Sequence, residues 1–254
     1  MPKIGLLFAV LILAACSSNE KSLKINPVPL PAGSDSGEPY LFTDVSGNVF
    51  LSWIETQDTI YRLRYSRWIG EQWSEPVTIA NGNNWFVNWA DYPMLVSDGR
   101  GKLMAAFLEK SSEEKFSYDI KITTSADELN WTKPVTLHDD GKLAEHGFVS
   151  FAPHGDQVFV SWLDGRNTGT DNPHDAGHDH HGEMTLRAAL VNYDGTKAGE
   201  WELDNRVCDC CQTTAAVTAN GPVVIYRDRS LHEVRDIHIV RWADGNWIQP
   251  KPVY

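Results

Sequence analysis

The chain has 254 residues, 22 basic and 34 acidic side chains, a formal net charge of −12, and 42% hydrophobic content. This is ordinary globular material, which excludes a disordered chain and one that lies in a membrane throughout. The acidic balance excludes a nucleic-acid partner, because phosphate backbones need a basic stripe and none is present. Ten tryptophans, eight tyrosines and nine phenylalanines fit either many packed β layers or a face that stacks on a flat ligand such as a sugar.

Met1-Pro2-Lys3 is a short positive start, followed by the apolar run Ile4–Ala15. Twelve residues are too few to cross ~30 Å of hydrocarbon as a helix, but they suit the core of a signal peptide. The run ends Leu13-Ala14-Ala15-Cys16, which resembles the lipobox of bacterial lipoproteins. Residues 1–15 are therefore expected to be a signal peptide and Cys16 the lipidated residue. Residues 16–39, rich in Ser, Pro, Gly and Lys, are the expected tether, and residues 40–254 the folded domain. The expected location is a bacterial cell envelope, with the membrane reached through the N-terminal lipid. Ser17 is not the Asp that favours inner-membrane retention, so in a Gram-negative host an outer-membrane, periplasm-facing position is expected. Loss of Lys3 takes the charge from −12 to −13.

From residue 40 onward the chain repeats. An apolar strand ends in an aromatic four times: Trp53, Phe107, Trp162 and Tyr226, at spacings of 54, 55 and 64 residues. An acidic residue lies two positions on in each case: Glu55, Glu109, Asp164 and Asp228. A Gly- or Asn-containing turn precedes each unit and a second strand follows it. A Trp-x-x-Pro segment closes three of the units (Trp73, Trp131, Trp247), and Trp201 is a weaker fourth. Pro suits an outer edge strand, where a missing N–H costs no ladder bond, and the Trp is placed to fill the gap between adjacent units. No stretch of ten residues carries a 3.6-residue periodicity, so helices are expected to be few. Short strands, turns and a period near 55 predict an all-β propeller with four visible blades. A β-sandwich would not require the same strand-turn-Trp order four times.

Ser125-Ala126-Asp127-Glu128-Leu129-Asn130-Trp131 resembles a degenerate Asp-box, with Leu129 in place of the expected Gly. Together with Trp162-Leu163-Asp164-Gly165-Arg166, Cys208-Asp209-Cys210-Cys211 and Tyr226-Arg227-Asp228-Arg229, these segments resemble the sialidase-like (exo-α-sialidase, BNR-repeat) propellers of bacteria over residues ~40–254. The resemblance implies a six-bladed ring, of which four blades are visible, so the chain reads either as a small four-bladed ring or as an incomplete six-bladed one. The Arg-Ile-Pro motif of sialidases has no counterpart.

Five sets of residues could carry chemistry. Arg166, Arg187, Arg229 and Arg235 could hold the carboxylate of an acidic sugar bidentately, or pair with neighbouring aspartates as cement between blades. What the resemblance implies for a retaining sialidase is a Tyr nucleophile, a Glu and an Asp, for which Tyr226, Glu233 and Asp164 are the candidates; by its place in the repeat Tyr226 also fits a blade core. His174, His178, His180 and His181 fall within eight residues of an insert. With interleaved carboxylates they suit Zn²⁺ or Cu²⁺, or form only a solvated loop. Cys208, Cys210 and Cys211 could add thiolates, best suited to Cu(I), or form a disulfide, either with a cysteine outside this sequence or internally, for which Cys208 with Cys211 is the better pair. Trp85 and Trp89, in an Asn/Trp stretch that the repeat does not explain, could stack a sugar or dock a protein, or plug the channel. The composite expectation is a lipid-anchored propeller that binds a glycan or an envelope protein. The alternatives are an exo-glycosidase of sialidase type and periplasmic metal binding. No cofactor is required, with Zn or Cu the candidate ions.

Overall fold

The computed structural model describes residues 25–168 and 182–253. Cys16 and the histidines of the insert, His174, His178, His180 and His181, lie outside the described residues. Within them there is no helix, and the strands form four antiparallel sheets in chain order. The first contains β1 (Ser36–Thr43), β2 (Val49–Gln57) and β3 (Ile60–Ile69), with β4 (Gln72–Trp73) and β5 (Val77–Gly82) both paired to β3. The second is β6 (Met94–Ser97), β7 (Leu103–Lys110), β8 (Tyr118–Ser125) and β9 (Val135–Thr136). The third is β10 (His146–His154), β11 (Gln157–Asp164), β12 (Thr185–Asn192) and β13 (Lys197–Asp204). The fourth is β14 (Thr214–Thr218), β15 (Gly221–Arg227), β16 (Ile237–Ala243) and β17 (Asn246–Pro252). The first strands of successive sheets touch, β1 against β6, β6 against β10 and β10 against β14, so the sheets radiate as propeller blades.

The repeat has a physical cause. Residues i and i+2 of a strand share a face, so the aromatic and the acid two positions on stand side by side. Trp53 Nε1 donates to Glu55 at 2.9 Å, and Trp162 Nε1 donates to Asp164 at 2.8 Å. Directly opposite each aromatic, on the next strand, sits a basic residue: Arg64 opposite Trp53, Lys121 opposite Phe107, Arg187 opposite Trp162 and His238 opposite Tyr226. The aromatics are buried, and the acid and base close a polar rim at the end of each blade. In the first two blades they pair directly, Arg64 with Glu55 at 2.8 Å and Lys121 with Glu109 at 3.4 Å. The turns that open the second strands of the first two blades are alike too. Asp44 accepts from the N–H groups of Ser46 and Asn48, and Asp98 from those of Arg100 and Lys102.

Burial patterns report which faces are covered. β7 and β11 are buried almost throughout because blades lie on both sides of them, so they read as continuous apolar runs. β15 alternates: Val224 and Tyr226 face the third blade, while Val223 and Ile225 face an open groove. Three of the four closing tryptophans reach a neighbouring blade, Trp201 by meeting Trp242 and Trp247 of the fourth, whereas Trp73 packs edge-on against Trp68 of its own blade. Trp131 meets Tyr65 of the first blade edge-on at 6.1 Å, and Trp247 lies 5.7 Å from Phe159 of the third.

Candidate functional site

The carboxyl groups whose acidities are raised most lie outside the repeat, at the end of the blades where the first strands begin. After β5 the chain runs along the end of β7: Phe86 N–H donates to Leu108 O, and Lys110 N–H donates to Asn84 O. An Asn88 turn follows, with the Ala90 N–H on its side chain and the Asp91 N–H on its carbonyl. This turn drives Asp91 between β8 and β10 until it is 3% exposed. Phe148 N–H donates to Asp91 Oδ1 at 2.7 Å. The approach requires Gly147, because a Cβ there would stand 2.0 Å from Asp91 Oδ2. Phe148 adopts a left-handed φ of 54° at the irregular register of β10 with β11. A non-glycine residue held there costs ~1–3 kcal/mol, and such strain gathers at functional sites.

Tyr118, at the start of β8, connects this carboxylate to a second. Its hydroxyl donates to Glu145 Oε1 at 2.7 Å and lies 3.4 Å from Asp91 Oδ2. Burial pushes Asp91 up to about 7; the Glu145 charge adds to the rise, while the Phe148 N–H opposes it. Burial also pushes Glu145 up to about 7, opposed by Tyr118 and aided by the Asp209 carboxylate. Burial and both carboxylates hold the Tyr118 hydroxyl far above its ordinary range, so it stays a donor. Near neutral pH this centre therefore holds an exchangeable proton between two carboxyl groups, which is the equipment of general acid–base chemistry.

A second polar cluster lies between the second and third blades. The rings of His138 and His146 stack at 3.6 Å with 4° between their planes. Asp140 lies 3.2 Å from His138 and 3.1 Å from His146, and Asp119 lies 3.5 Å from His138. Burial and the neighbouring His146 lower His138 to about 4, against the pull of the surrounding aspartates. Asp164 closes the cluster. Burial alone would raise it, but Arg166, His146 and Trp162 hold it down to about 2.

The residues singled out by sequence divide as follows. Tyr226, Glu233 and Asp164 are each engaged separately. Tyr226 is 2% exposed and donates to Asp204, Asp164 is locked to Arg166 at 2.7 Å, and Glu233 accepts from Arg206, Arg229 and Arg235. Hydrogen bonds from Arg229 above all lower Glu233 to about 2, which leaves it a poor base. The four candidate arginines do not share one cavity. Arg166 is bound to Asp164, Asp140 and Glu200, and Arg187 to Glu200 and Glu202, whereas Arg229 and Arg235 do come together on Glu233. The expectation for Trp85 needs correction. It is 5% exposed, stacked on Tyr61 and packed against Phe107, because its segment lies along the end of β7. Trp89 is 84% exposed and two residues from Asp91. Cys208, Cys210 and Cys211 are brought together. Sequence reasoning did not reach Asp91, Tyr118, Glu145 or the His138–His146 pair; the only signal was the repeat-breaking Asn/Trp stretch that leads into Asp91.

No family model and no curated protein matches the sequence. Solved structures do match in fold. An α-L-arabinanase of Penicillium chrysogenum, complexed with arabinobiose, aligns with a TM-score of 0.53 at 15% identity. The GH93 α-L-arabinofuranosidase of Fusarium graminearum, also with arabinobiose, aligns with a TM-score of 0.54 at 13% identity. The fold is similar to that of glycoside-hydrolase propellers. Both alignments cover 85% of this chain and 65% of the other, so the chain spans about two thirds of the length of these enzymes. At such identity the likeness is one of fold.

Proposed function

We propose that this protein is a carbohydrate-active propeller that binds a glycan at the Asp91–Tyr118–Glu145 centre and hydrolyses a glycosidic bond there. The observation that carries this reading is the pair of carboxyl groups, both pushed to about 7 and joined through one tyrosine hydroxyl. Glu145, the less buried of the two, is the proton donor to the leaving oxygen as the glycosidic bond breaks; water forms the new bond to the anomeric carbon and its proton returns to the Glu145 carboxylate. Asp91 is a positioning group that keeps the proton inventory of the centre near neutrality. The exposed indole of Trp89, on the loop that delivers Asp91, is the platform on which a sugar ring stacks. The glycoside-hydrolase folds of the matched structures support a glycan-related role. In this reading the protein is exported, anchored through a lipid on Cys16 and held at the cell envelope, where glycans and envelope proteins are accessible.

A second reading, sialidase-type recognition of an acidic sugar, is favoured by one observation. Arg206, Arg229 and Arg235 already converge on the carboxylate of Glu233, a place that a ligand carboxylate could take. Turnover of a panel of aryl glycosides separates the two. Hydrolysis of neutral arabinosides or other neutral glycosides, lost in Glu145→Gln, supports the first. Activity confined to sialosides and uronides, lost in Arg229→Ala and retained in Glu145→Gln, supports the second. No turnover on any member by folded protein, with no retention on a glycan array, refutes both.

A further inference from the structure

The loop between β13 and β14 is clamped at both ends. Val207 N–H donates to Met184 O and Cys208 N–H to Arg227 O, while Gln212 and Thr213 bond to the backbone of Val149 and Phe148. Between these clamps the three thiols form a near-equilateral triangle. The Sγ–Sγ distances are 3.6 Å for Cys208–Cys210, 3.7 Å for Cys208–Cys211 and 3.9 Å for Cys210–Cys211. A disulfide would single out one pair at ~2.05 Å and release the third thiol; here none is singled out. A point equidistant from the three sulfurs and in their plane lies about 2.2 Å from each, close to the ~2.3 Å of a zinc–thiolate bond. A tetrahedral ion at that bond length requires sulfurs ~3.8 Å apart, again the observed spacing.

We infer that Cys208, Cys210 and Cys211 form a three-thiolate site for a thiophilic d10 cation, Cu(I) or Zn²⁺, on the loop that borders the glycan centre through Thr213 and Phe148. Soft sulfur donors select these ions. The charge is arranged for it: Arg227 lies 3.5 Å from Cys211 Sγ and Arg235 3.5 Å from Cys208 Sγ. Two guanidinium groups offset the excess negative charge that three thiolates leave around a mono- or divalent ion. Access is open as well. Cys210 is exposed, and Cys211, Arg227 and Arg235 line a groove on the uncovered face of the fourth blade. With three sulfurs bound, Cu(I) is complete as a trigonal ion, and Zn²⁺ keeps one position for water or a ligand.

The test uses the full chain, reduced under anaerobic conditions, with His174, His178, His180 and His181 changed to Ala so that the insert contributes no ligand. Co²⁺ is titrated as a spectroscopic substitute, and Cu(I) and Zn²⁺ are titrated separately against chromophoric chelators. The expected result is one equivalent of metal and a sulfur-to-cobalt charge-transfer band. Cys210→Ser and Cys211→Ser each weaken binding by ~100-fold or more while retaining the thermal unfolding of the parent, and Arg235→Gln weakens it by ~10-fold by removing the cation beside Cys208 Sγ. Tighter retention of Cu(I) assigns a trigonal site, and tighter retention of Zn²⁺ with a tetrahedral cobalt spectrum assigns a four-coordinate one. Equal metal affinity in the parent and in Cys210→Ser, or a Cys208–Cys211 disulfide that persists through metal addition after mild reduction, overturns the inference. Hydrolysis of glycosides is not read in this experiment, so its outcome is independent of the proposed activity.

Discussion

Replacing Asp91 by Asn tests the central electrostatic claim. The carboxyl moves from an ordinary value of 3.8 to about 7 on folding. The sign follows from proton counting. Between these values the native protein holds a proton that the unfolded chain has released, so stability falls as pH rises. The stabilising contribution is complete below about 4 and lost once pH passes about 7. A rise of about three pKa units corresponds to ~4 kcal/mol at 1.36 kcal/mol per unit, and Asp91 is buried, so solvent screening does not reduce it much. Asparagine has the same shape, can accept the Phe148 N–H and does not titrate. Asp91→Asn should therefore match the wild type at pH 4 to within ~1 kcal/mol, the cost of one re-made hydrogen bond. At pH 8 it should be the more stable protein by as much as ~4 kcal/mol. Urea denaturation followed by tryptophan fluorescence at pH 4, 6 and 8 measures this, with an expected midpoint shift of ~1 M or more at pH 8. A variant less stable than wild type at every pH, with the wild-type slope from pH 4 to 7 intact, refutes the reasoning. Glu145 contributes its own part of the slope, and since the two groups interact, the pair titrates jointly; the double variant Asp91→Asn/Glu145→Gln should flatten it.

The same centre and its supports give further expectations. Gly147→Ala should cost ~1–3 kcal/mol by overpacking against Asp91, and the cost should largely vanish in an Asp91→Ala background, a coupling that a double-mutant cycle reads directly. If Glu145 is the acid, kcat should decline as pH rises through about 7, and Glu145→Gln should remove that limb together with most of the turnover. Trp85→Ala should destabilise by ~3–5 kcal/mol as a core truncation, whereas Trp89→Ala should leave unfolding unchanged and weaken glycan retention. Trp162→Phe takes a donor from the fully buried Asp164 and should cost ~1–3 kcal/mol in urea denaturation.

The propeller was legible because its signals are local and repeated. An apolar strand ending in an aromatic, an acid two residues on and a Trp-x-x-Pro closure are all written within one blade, and each corresponds to a bond or a packed ring in the structure. The cation opposite each aromatic was harder to see. From sequence Arg187 fits either a substrate ligand or cement between blades, and its register opposite Trp162 makes it the counterpart of Arg64 and Lys121. Such pairings depend on which residues face each other across a ladder, and that is set by turn length and by irregularities that a linear reading does not resolve. Asp91 and Glu145 were illegible for a related reason. They are 54 residues apart and meet only through Tyr118, and nothing in either local sequence marks a carboxylate whose acidity burial will displace.

This contrast locates function within the architecture. Most acids, bases and aromatics that keep the repeat are occupied in holding a blade or a pair of blades together: Trp53 with Glu55 and Arg64, Trp162 with Asp164 and Arg166, Trp131 against Tyr65. A group so occupied has little freedom to bind or release a proton or a ligand; Asp164, held down to about 2, illustrates the point. The groups left in unresolved competition are those where the repeat is broken. They are the segment before β6 that buries Asp91, the strained Gly147–Phe148 start of β10 and the clamped cysteine loop before β14. In a propeller, identical blades can cover one another's apolar faces without help, so stability rests on the residues that repeat. The connections at the blade ends carry no such obligation, and there the chain can bury a carboxylate at a cost of several kcal/mol, or hold three thiols at bonding distance from one ion. Departures from the repeat are accordingly the better guide to chemistry in this fold, and the motifs that identify the blades are the poorer one.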